Sequence, residues 1–169
     1  PFTIQPTSSL PTITDPVILD GTTQKGYNNL PLVEVKGTYG GLIITGGGST
    51  LQGLKINNSS GFGLTLSSAG GNNISANQVS GILISSPGNS INNNTISGST
   101  ANGISILAGA INNLIGVTAA NNISENTGYG LSITNANGNQ ISNNTFGINS
   151  LGGILISNSA GTVAGNTIS

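Results

Sequence analysis

The chain has 169 residues, of which 35% are hydrophobic, 4% aromatic and 4% charged, and its formal net charge is -1. With three Lys and neither Arg nor His, it offers no basic surface for nucleic acid. No run approaches the roughly 18 apolar residues of a membrane helix, so we expect no membrane insertion. The lack of Cys excludes a disulfide framework and a thiolate metal site.

Residues 1–40 are the least regular part of the chain. The segment "FTIQ" at residues 2–5 is a short β segment bounded by Pro1 and Pro6. Two later aliphatic runs, at residues 17–19 and 32–35, have the composition of strands. We predict an amino-terminal segment and a broad first coil over residues 1–40, followed by regular coils over residues 41–169.

A phrase of Gly, an aliphatic residue, any residue and a second aliphatic residue recurs from residue 41 onward. Its glycines are 22, 18, 22, 27 and 23 residues apart. Apolar residues at i and i+2 are typical of a half-buried strand, and Gly, Asn and Ser clusters separate these strands. The copies begin at Gly41, Gly63, Gly81, Gly103, Gly130 and Gly153.

A second phrase, Ile-x-x-Asn-x-Ile or a close variant, alternates with the first. In a narrow coil its aliphatic side chains point inward, and its Asn occupies a corner, where it tolerates a left-handed conformation and bonds to the backbone or to the next Asn. The Thr that follows should point outward. The predicted structural Asn ladder is Asn77, Asn94, Asn126, Asn144 and Asn166, and the predicted outward row is Thr95, Thr127, Thr145 and Thr167, continued by Gln78 and Lys55.

The two phrases together repeat about every 22 residues and consist only of short strands and turns. This pattern predicts a parallel β-solenoid, in which each repeat is one coil and neighbouring coils pair in register. A leucine-rich repeat would need a helix or a regular convex segment in each copy. A hairpin meander, which the dipeptides at Asn102 and Asn137 permit, would not require the same aliphatic pair in every copy.

The alternation of "GILI" or "GISI" with "INNNTI" or "ISNNTF" resembles the right-handed parallel β-helix repeats of the pectate-lyase superfold. The amino-terminal "LPTITDPVILDGTTQKGYNNLPLVEV" and the internal "INNLIGVTAANNISENTG" resemble segments of large secreted bacterial surface proteins. The resemblance implies an all-β fold, a single-stranded right-handed parallel β-helix of about seven coils forming one domain over residues 1–169. It implies no single activity, because the superfold carries lyases, hydrolases, adhesins and passive fibres.

Catalysis is not expected from the residues available. The acids are Asp15, Asp20, Glu34 and Glu125, whereas polysaccharide lyases and hydrolases of the superfold also use Arg or His. Glycoside hydrolysis needs two carboxyl groups roughly 5 to 10 Å apart, and the one close pair, Asp15 with Asp20, occupies ordinary turn positions. A Ca²⁺ site needs six to eight oxygen ligands, usually including several carboxylates, and Asp15 with Glu34 would supply only two. We therefore expect no enzyme, no metal site and no cofactor.

Two binding functions deserve comparison with a structural one. Ice binding would need a lattice of Thr, but the outward column beside the Thr row reads Ile43, Thr65, Leu83, Ser105, Ser132 and Leu155. Polysaccharide binding is better supported, because Asn and Ser can pair with sugar hydroxyls, although few aromatic residues are present for ring stacking.

The ends of the repeat suggest self-association. Soluble solenoids cap their open ends, but here the repeat phrase runs to residue 169 with no charged or helical cap after it. Either the chain is a fragment of a longer solenoid or its ends pair with other copies. We expect a secreted or cell-surface structural protein that assembles head to tail with copies of itself into an extracellular fibre; the alternative is an adhesin or polysaccharide-binding segment of a larger surface protein. The candidate self-association residues are Phe2, Thr3, Ile4, Val163, Thr167 and Ile168.

Overall fold

The computed structural model describes residues 2–58, 60–158 and 167–168, the last two by their backbone only. The described residues form twenty short strands, numbered in chain order, in three sheets whose strand pairs are all parallel. Sheet I contains β1 (Phe2–Ile4), β3 (Val33–Gly37), β6 (Leu54–Asn58), β9 (Gln78–Val79), β12 (Thr95–Ile96), β15 (Asn122–Ile123) and β18 (Thr145–Phe146).

The other two sheets have the same design. Sheet II contains β4 (Leu42–Ile44), β7 (Leu64–Leu66), β10 (Ile82–Ile84), β13 (Ile104–Ile106), β16 (Tyr129–Thr134) and β19 (Gly152–Ser157). Sheet III contains β2 (Ile18–Asp20), β5 (Thr50–Gln52), β8 (Asn73–Ser75), β11 (Ser90–Asn92), β14 (Leu114–Ile115), β17 (Gln140–Ile141) and β20 (Thr167–Ile168). From β2 onward the chain visits sheets III, I and II in turn, so each circuit is one coil of a parallel β-helix, and the predicted fold is confirmed.

The core consists of aliphatic columns stacked along the helix. The register of sheet II places Leu64 beside Ile82 and Leu66 beside Ile84, and this pairing continues through the sheet. Most of these side chains are completely buried, and burial of each contributes roughly 1.5–3 kcal/mol. The Gly-aliphatic phrase therefore forms one wall, as the sequence predicted.

The Asn phrase does not lie on a single wall but bends across the corner between two walls. Ile91 belongs to β11 of sheet III, Asn94 stands at the corner, and Ile96 belongs to β12 of sheet I. In three of the coils a left-handed residue stands just before the corner Asn and makes the bend, with φ of 56° at Ala76, 55° at Asn93 and 60° at Asn143. The ladder Asn was expected to adopt this conformation itself, but its neighbour does so instead.

The first 40 residues join the same three sheets. β1 pairs with β3, Ile13 forms a bridge to Ile44 of sheet II, and β2 pairs with β5. Between β2 and β3 the chain makes an excursion over residues 21–32, whereas the next coil turns the same corner with Gly53 alone. This excursion, here called the corner loop, is the main departure from regular coils in this part of the chain.

Candidate functional site

The Asp20 carboxylate accepts hydrogen bonds at the base of the corner loop. Its Oδ1 accepts hydrogen bonds from the Thr22 hydroxyl at 2.6 Å and from the Thr22 backbone N–H at 2.8 Å. The hydrogen bond from the Thr22 side chain is the largest cause that lowers the pKa of Asp20, with further contributions from Gln52 and the Thr22 backbone. This is the chemistry of a turn-stabilising carboxylate, because it favours the charged form and leaves no proton to donate at neutral pH.

Glu34 forms an ion pair on the outer face of sheet I. Its Oε1 lies 3.1 Å from Nζ of Lys55 on the next coil, and its Oε2 accepts a hydrogen bond from the Thr3 hydroxyl at 3.2 Å. The hydrogen bond from Lys55 is the main cause that lowers the pKa of Glu34, against an opposing effect of burial. Lys55, predicted to continue the outward row, thus joins β1, β3 and β6 into one polar cluster through Glu34.

Asp20 and Glu34 belong to separate hydrogen-bonded groups. Asp20 and Glu34 each have partners that hold them ionised, and no group of three or more His, Cys, Asp or Glu side chains lies together among residues 2–58 and 60–158. The arrangement can support turns and tie neighbouring coils together.

The predicted Asn ladder exists at the corner between sheets III and I. Nδ2 of Asn77 donates to Oδ1 of Asn94 at 3.1 Å, and Nδ2 of Asn94 donates to Oδ1 of Asn121 at 3.0 Å. Asn121 donates in turn to Asn144 at 2.8 Å, and Leu54 at the start gives its backbone N–H to Asn77. Three of the five predicted members, Asn77, Asn94 and Asn144, therefore share one column.

The placement of Asn126 in this column was wrong. Asn126 donates to Asn149 at 2.9 Å and accepts from the backbone N–H of Ser99, at the corner between sheets I and II. Asn121 holds the predicted place, because it precedes the inward Ile123 by two residues, as Asn94 precedes Ile96. The Thr after Asn126 had suggested the wrong alignment. Asn166, the fifth member, lies outside the described residues.

A further Asn ladder, not predicted, occupies the corner between sheets II and III. Each amide donates to the next Oδ1: Asn72 to Asn89 at 2.8 Å, Asn89 to Asn113 at 2.9 Å and Asn113 to Asn139 at 3.0 Å. All four side chains are buried. The signal was present as Asn-x-Ile, because each of these Asn residues stands two positions before an inward Ile of sheet III.

The predicted self-association residues lie at the two ends of the stack, where the structure describes them. Phe2 and Ile4 continue the inward columns of Val33 and Val35, yet their side chains are 70% and 53% exposed. The backbone of Thr167 and Ile168 pairs with Gln140 and Ile141 at the end of sheet III. Val163 lies outside the described residues. Phe2 and Ile4 therefore expose apolar side chains at the open end of the stack, on its first coil.

The sequence model of a family described as "Right handed beta helix region" matches residues 40–169. The chain belongs to the right-handed β-helix family. No curated protein and no solved structure matches the chain in comparisons with both.

The outer surface of this β-helix only partly follows the predicted columns. On sheet II the column of Ile43, Thr65, Leu83, Ser105, Ser132 and Leu155 is confirmed by the strand register. On sheet I, Lys55, Gln78, Thr95 and Thr145 share a column, but Asn122 stands where Thr127 was expected. Thr167 pairs with Gln140 in sheet III and is not part of this row. The β-helix therefore presents no continuous Thr row on sheet I.

Among residues 2–58, 60–158 and 167–168, no helix is long and apolar enough to cross a membrane.

Proposed function

We propose that the chain is a structural β-helix of an extracellular or cell-surface protein, and that its first coil stacks on the last coil of another copy to build a fibre. The observation that carries the proposal is the surface of the first coil. Phe2 and Ile4 are aligned with core columns but remain largely exposed, and β1 is the outermost strand of sheet I. An exposed strand edge beside apolar side chains is a template for another strand.

The opposite end of sheet I offers a matching surface. The outermost strand there is β18, in which Thr145 continues the outward column of Thr3 and Phe146 continues the inward column of Ile4. Phe146 is only partly buried. In a head-to-tail stack Ile4 would cover Phe146, and the columns would run on into the next copy. Such a contact is heterologous and does not close, so it generates a filament.

Charge supports stacking between identical copies. The formal net charge of -1 gives little long-range repulsion. The ion pair between Glu34 and Lys55 lies one coil inside the proposed joint, where both charges already have a partner. A structural role is favoured over a catalytic one because Asp20 and Glu34 serve a turn and an ion pair.

The test is the assembly state of the purified chain, measured by sedimentation velocity over a range of concentrations and by negative-stain electron microscopy. We expect filaments with the diameter of one β-helix. Replacing both Phe2 and Ile4 by Asp should abolish them, since carboxylates would be buried in the joint without partners. Thr167→Pro, which removes a backbone donor from β20, should weaken them.

The control is Ile111→Asp, which places the same charge on an apolar side chain that is 42% exposed between the two ends. This variant should form filaments as the wild type does. A wild-type chain that stays monomeric at high concentration, or filaments unaffected by the double Asp substitution, would overturn the end-to-end model.

A further inference from the structure

The outer face of sheet I carries a cleft beneath the corner loop, which is residues 21–32. The cleft has a volume of about 470 Å³ and is lined by Tyr27, Asn29, Leu30 and Pro31 of the loop on one side. Its other wall comes from later coils and contains Gln78, Asn93 and Thr95. This volume lies within the range of small-ligand sites in proteins.

The loop is built to stand over the sheet. Its base is fixed by the hydrogen bonds of Asp20 to Thr22 and by the bond from the Gly21 N–H to the Gln52 carbonyl at 2.8 Å. Two successive turns follow, in which Gln24 donates to Gly21 and Tyr27 donates to Gln24. The Tyr27 ring is thereby held at the cleft and is half-buried.

Three polar side chains in the cleft have free hydrogen-bonding capacity. Among the described residues, the side chains of Gln78, Asn93 and Thr95 make no hydrogen bond with the protein, and Asn93 and Thr95 are exposed. The contrast with Asn94 is instructive, because its amide already donates to Ile74, Asn92 and Asn121. Two adjacent Asn residues thus have different uses, one inside the coil and one facing the cleft.

The polar surface continues along the same face of sheet I, beyond Gln78 and Thr95. A second open cleft of about 310 Å³ shares Gln78 and Thr95 with the first and adds Asn57, Ser80 and Ser97. Its one charged residue is Lys55, which is paired with Glu34. The two clefts form a track of amides and hydroxyls across sheet I, with the Tyr27 ring at one end. Among the lining residues of both clefts, Lys55 alone is charged, and it is paired with Glu34.

From this juxtaposition we propose that the track is a non-catalytic binding site for an uncharged oligosaccharide. The apolar face of a sugar ring packs on Tyr27, and the sugar hydroxyls pair with Gln78, Asn93 and Thr95. An anionic glycan would need Arg or unpaired Lys contacts, which the lining residues of the first cleft do not supply. The site goes beyond the structural role proposed above and does not depend on it, since it lies on the side of the coil.

The test is calorimetric titration of the chain with three uncharged hexaoses, cellohexaose, maltohexaose and xylohexaose, and with hexagalacturonate as the charged comparator. We expect saturable binding of at least one uncharged hexaose with a dissociation constant below the millimolar range. The chain has no Trp and three Tyr, so ligand stacking on Tyr27 should also change the intrinsic fluorescence. Tyr27→Ala should weaken binding by about tenfold or more.

Matched variants separate the site from general effects on folding. Tyr39→Ala removes a ring that is 54% exposed outside both clefts and should bind as the wild type does. Tyr27→Phe keeps the ring and should retain binding, whereas Gln78→Met and Thr95→Val keep their shapes but should each weaken it several-fold. Thermal melting of each variant shows that the β-helix is intact.

Three results would overturn the proposal. One is the absence of saturable binding for all three uncharged hexaoses. Another is wild-type affinity in folded Tyr27→Ala. The third is equal or tighter binding of hexagalacturonate, which would contradict the inferred preference for an uncharged ligand.

Discussion

Asn89 gives both its backbone N–H and its side-chain Nδ2 to one acceptor, Oδ1 of Asn113, at 2.8 and 2.9 Å. Both residues are 0% exposed. The same double contact recurs between Asn72 and Asn89 and between Asn113 and Asn139. Each ladder Asn thus satisfies two donors of the preceding coil, so the corners of this β-helix are interdependent.

We predict that Asn113→Ala lowers the free energy of unfolding by about 2 kcal/mol, because it leaves the buried backbone N–H of Asn89 without its acceptor and removes one of the acceptors of Asn89 Nδ2, which keeps those of Ser86. Urea unfolding followed by circular dichroism measures the effect. The control is Asn122→Ala, at an exposed outward position of β15, which should change stability by no more than about 0.5 kcal/mol. Equal losses in the two variants would show that the ladder does not stabilise the corner.

Ala76→Gly should increase stability by about 1 kcal/mol. Ala76 has a φ of 56°, a conformation that strains a residue with a Cβ and that Gly adopts freely. Ala120 is the matched control, because it also precedes a ladder Asn but does not have a positive φ. Ala120→Gly should be destabilising by about 0.5–1 kcal/mol through the entropy of the unfolded chain. Thermal unfolding of both variants would contradict the strain argument if the two shifts had the same sign.

Gly21→Ala should destabilise the base of the corner loop. A Cβ at this position would lie 2.2 Å from the Gly53 carbonyl oxygen of the next coil, which is a backbone atom that cannot turn aside. We expect a loss of about 1–3 kcal/mol or local rearrangement of residues 21–32, which amide hydrogen exchange would detect. Gly61→Ala, whose Cβ would meet only the Asn58 amide at 4.0 Å, should be tolerated. Unchanged exchange in the loop of Gly21→Ala would contradict the close packing.

Acid should destabilise the β-helix partly through Glu34. Its pKa in the folded chain is lowered from 4.5, chiefly by the hydrogen bond from Lys55. The ion pair therefore stabilises the folded chain fully above the unfolded pKa, and this contribution disappears as the pH falls through the lowered folded pKa. Asp20, whose pKa is also lowered, contributes in the same direction.

Glu34→Gln should accordingly show a smaller fall in melting temperature between neutral pH and acid below pH 4.5 than the wild type shows. Glu125→Gln, at an exposed position, is the control and should keep the wild-type acid profile. The same fall in all three proteins would mean that the pair of Glu34 with Lys55 does not contribute to the pH dependence of stability.

The spacing of aliphatic residues was enough to predict the fold and one wall of it. The phrase that begins at Gly81 recurs in each coil, because the inward side chains of Ile82 and Ile84 must pack on their equivalents in the neighbouring coils. The same spacing is therefore visible in the sequence of every copy. The ladder was predicted only in part. The Thr after Asn126 imitates the local phrase, and the correct alignment depends on which Asn lies two residues before an inward side chain.

By itself the sequence determined that the chain forms a parallel β-helix of short strands, because period, inward aliphatic residues and corner Asn are local properties that repeat. The tertiary structure decided that the Asn phrase crosses two walls, since left-handed residues such as Asn93 bend the chain there. It decided that Asn121 replaces Asn126, since Asn121 is the residue that accepts the hydrogen bond from Asn94. It also decided that Tyr27 lines one cleft with Gln78 and Thr95, although these residues belong to different coils. Contacts between coils depend on the path of the whole stack, which no single repeat contains.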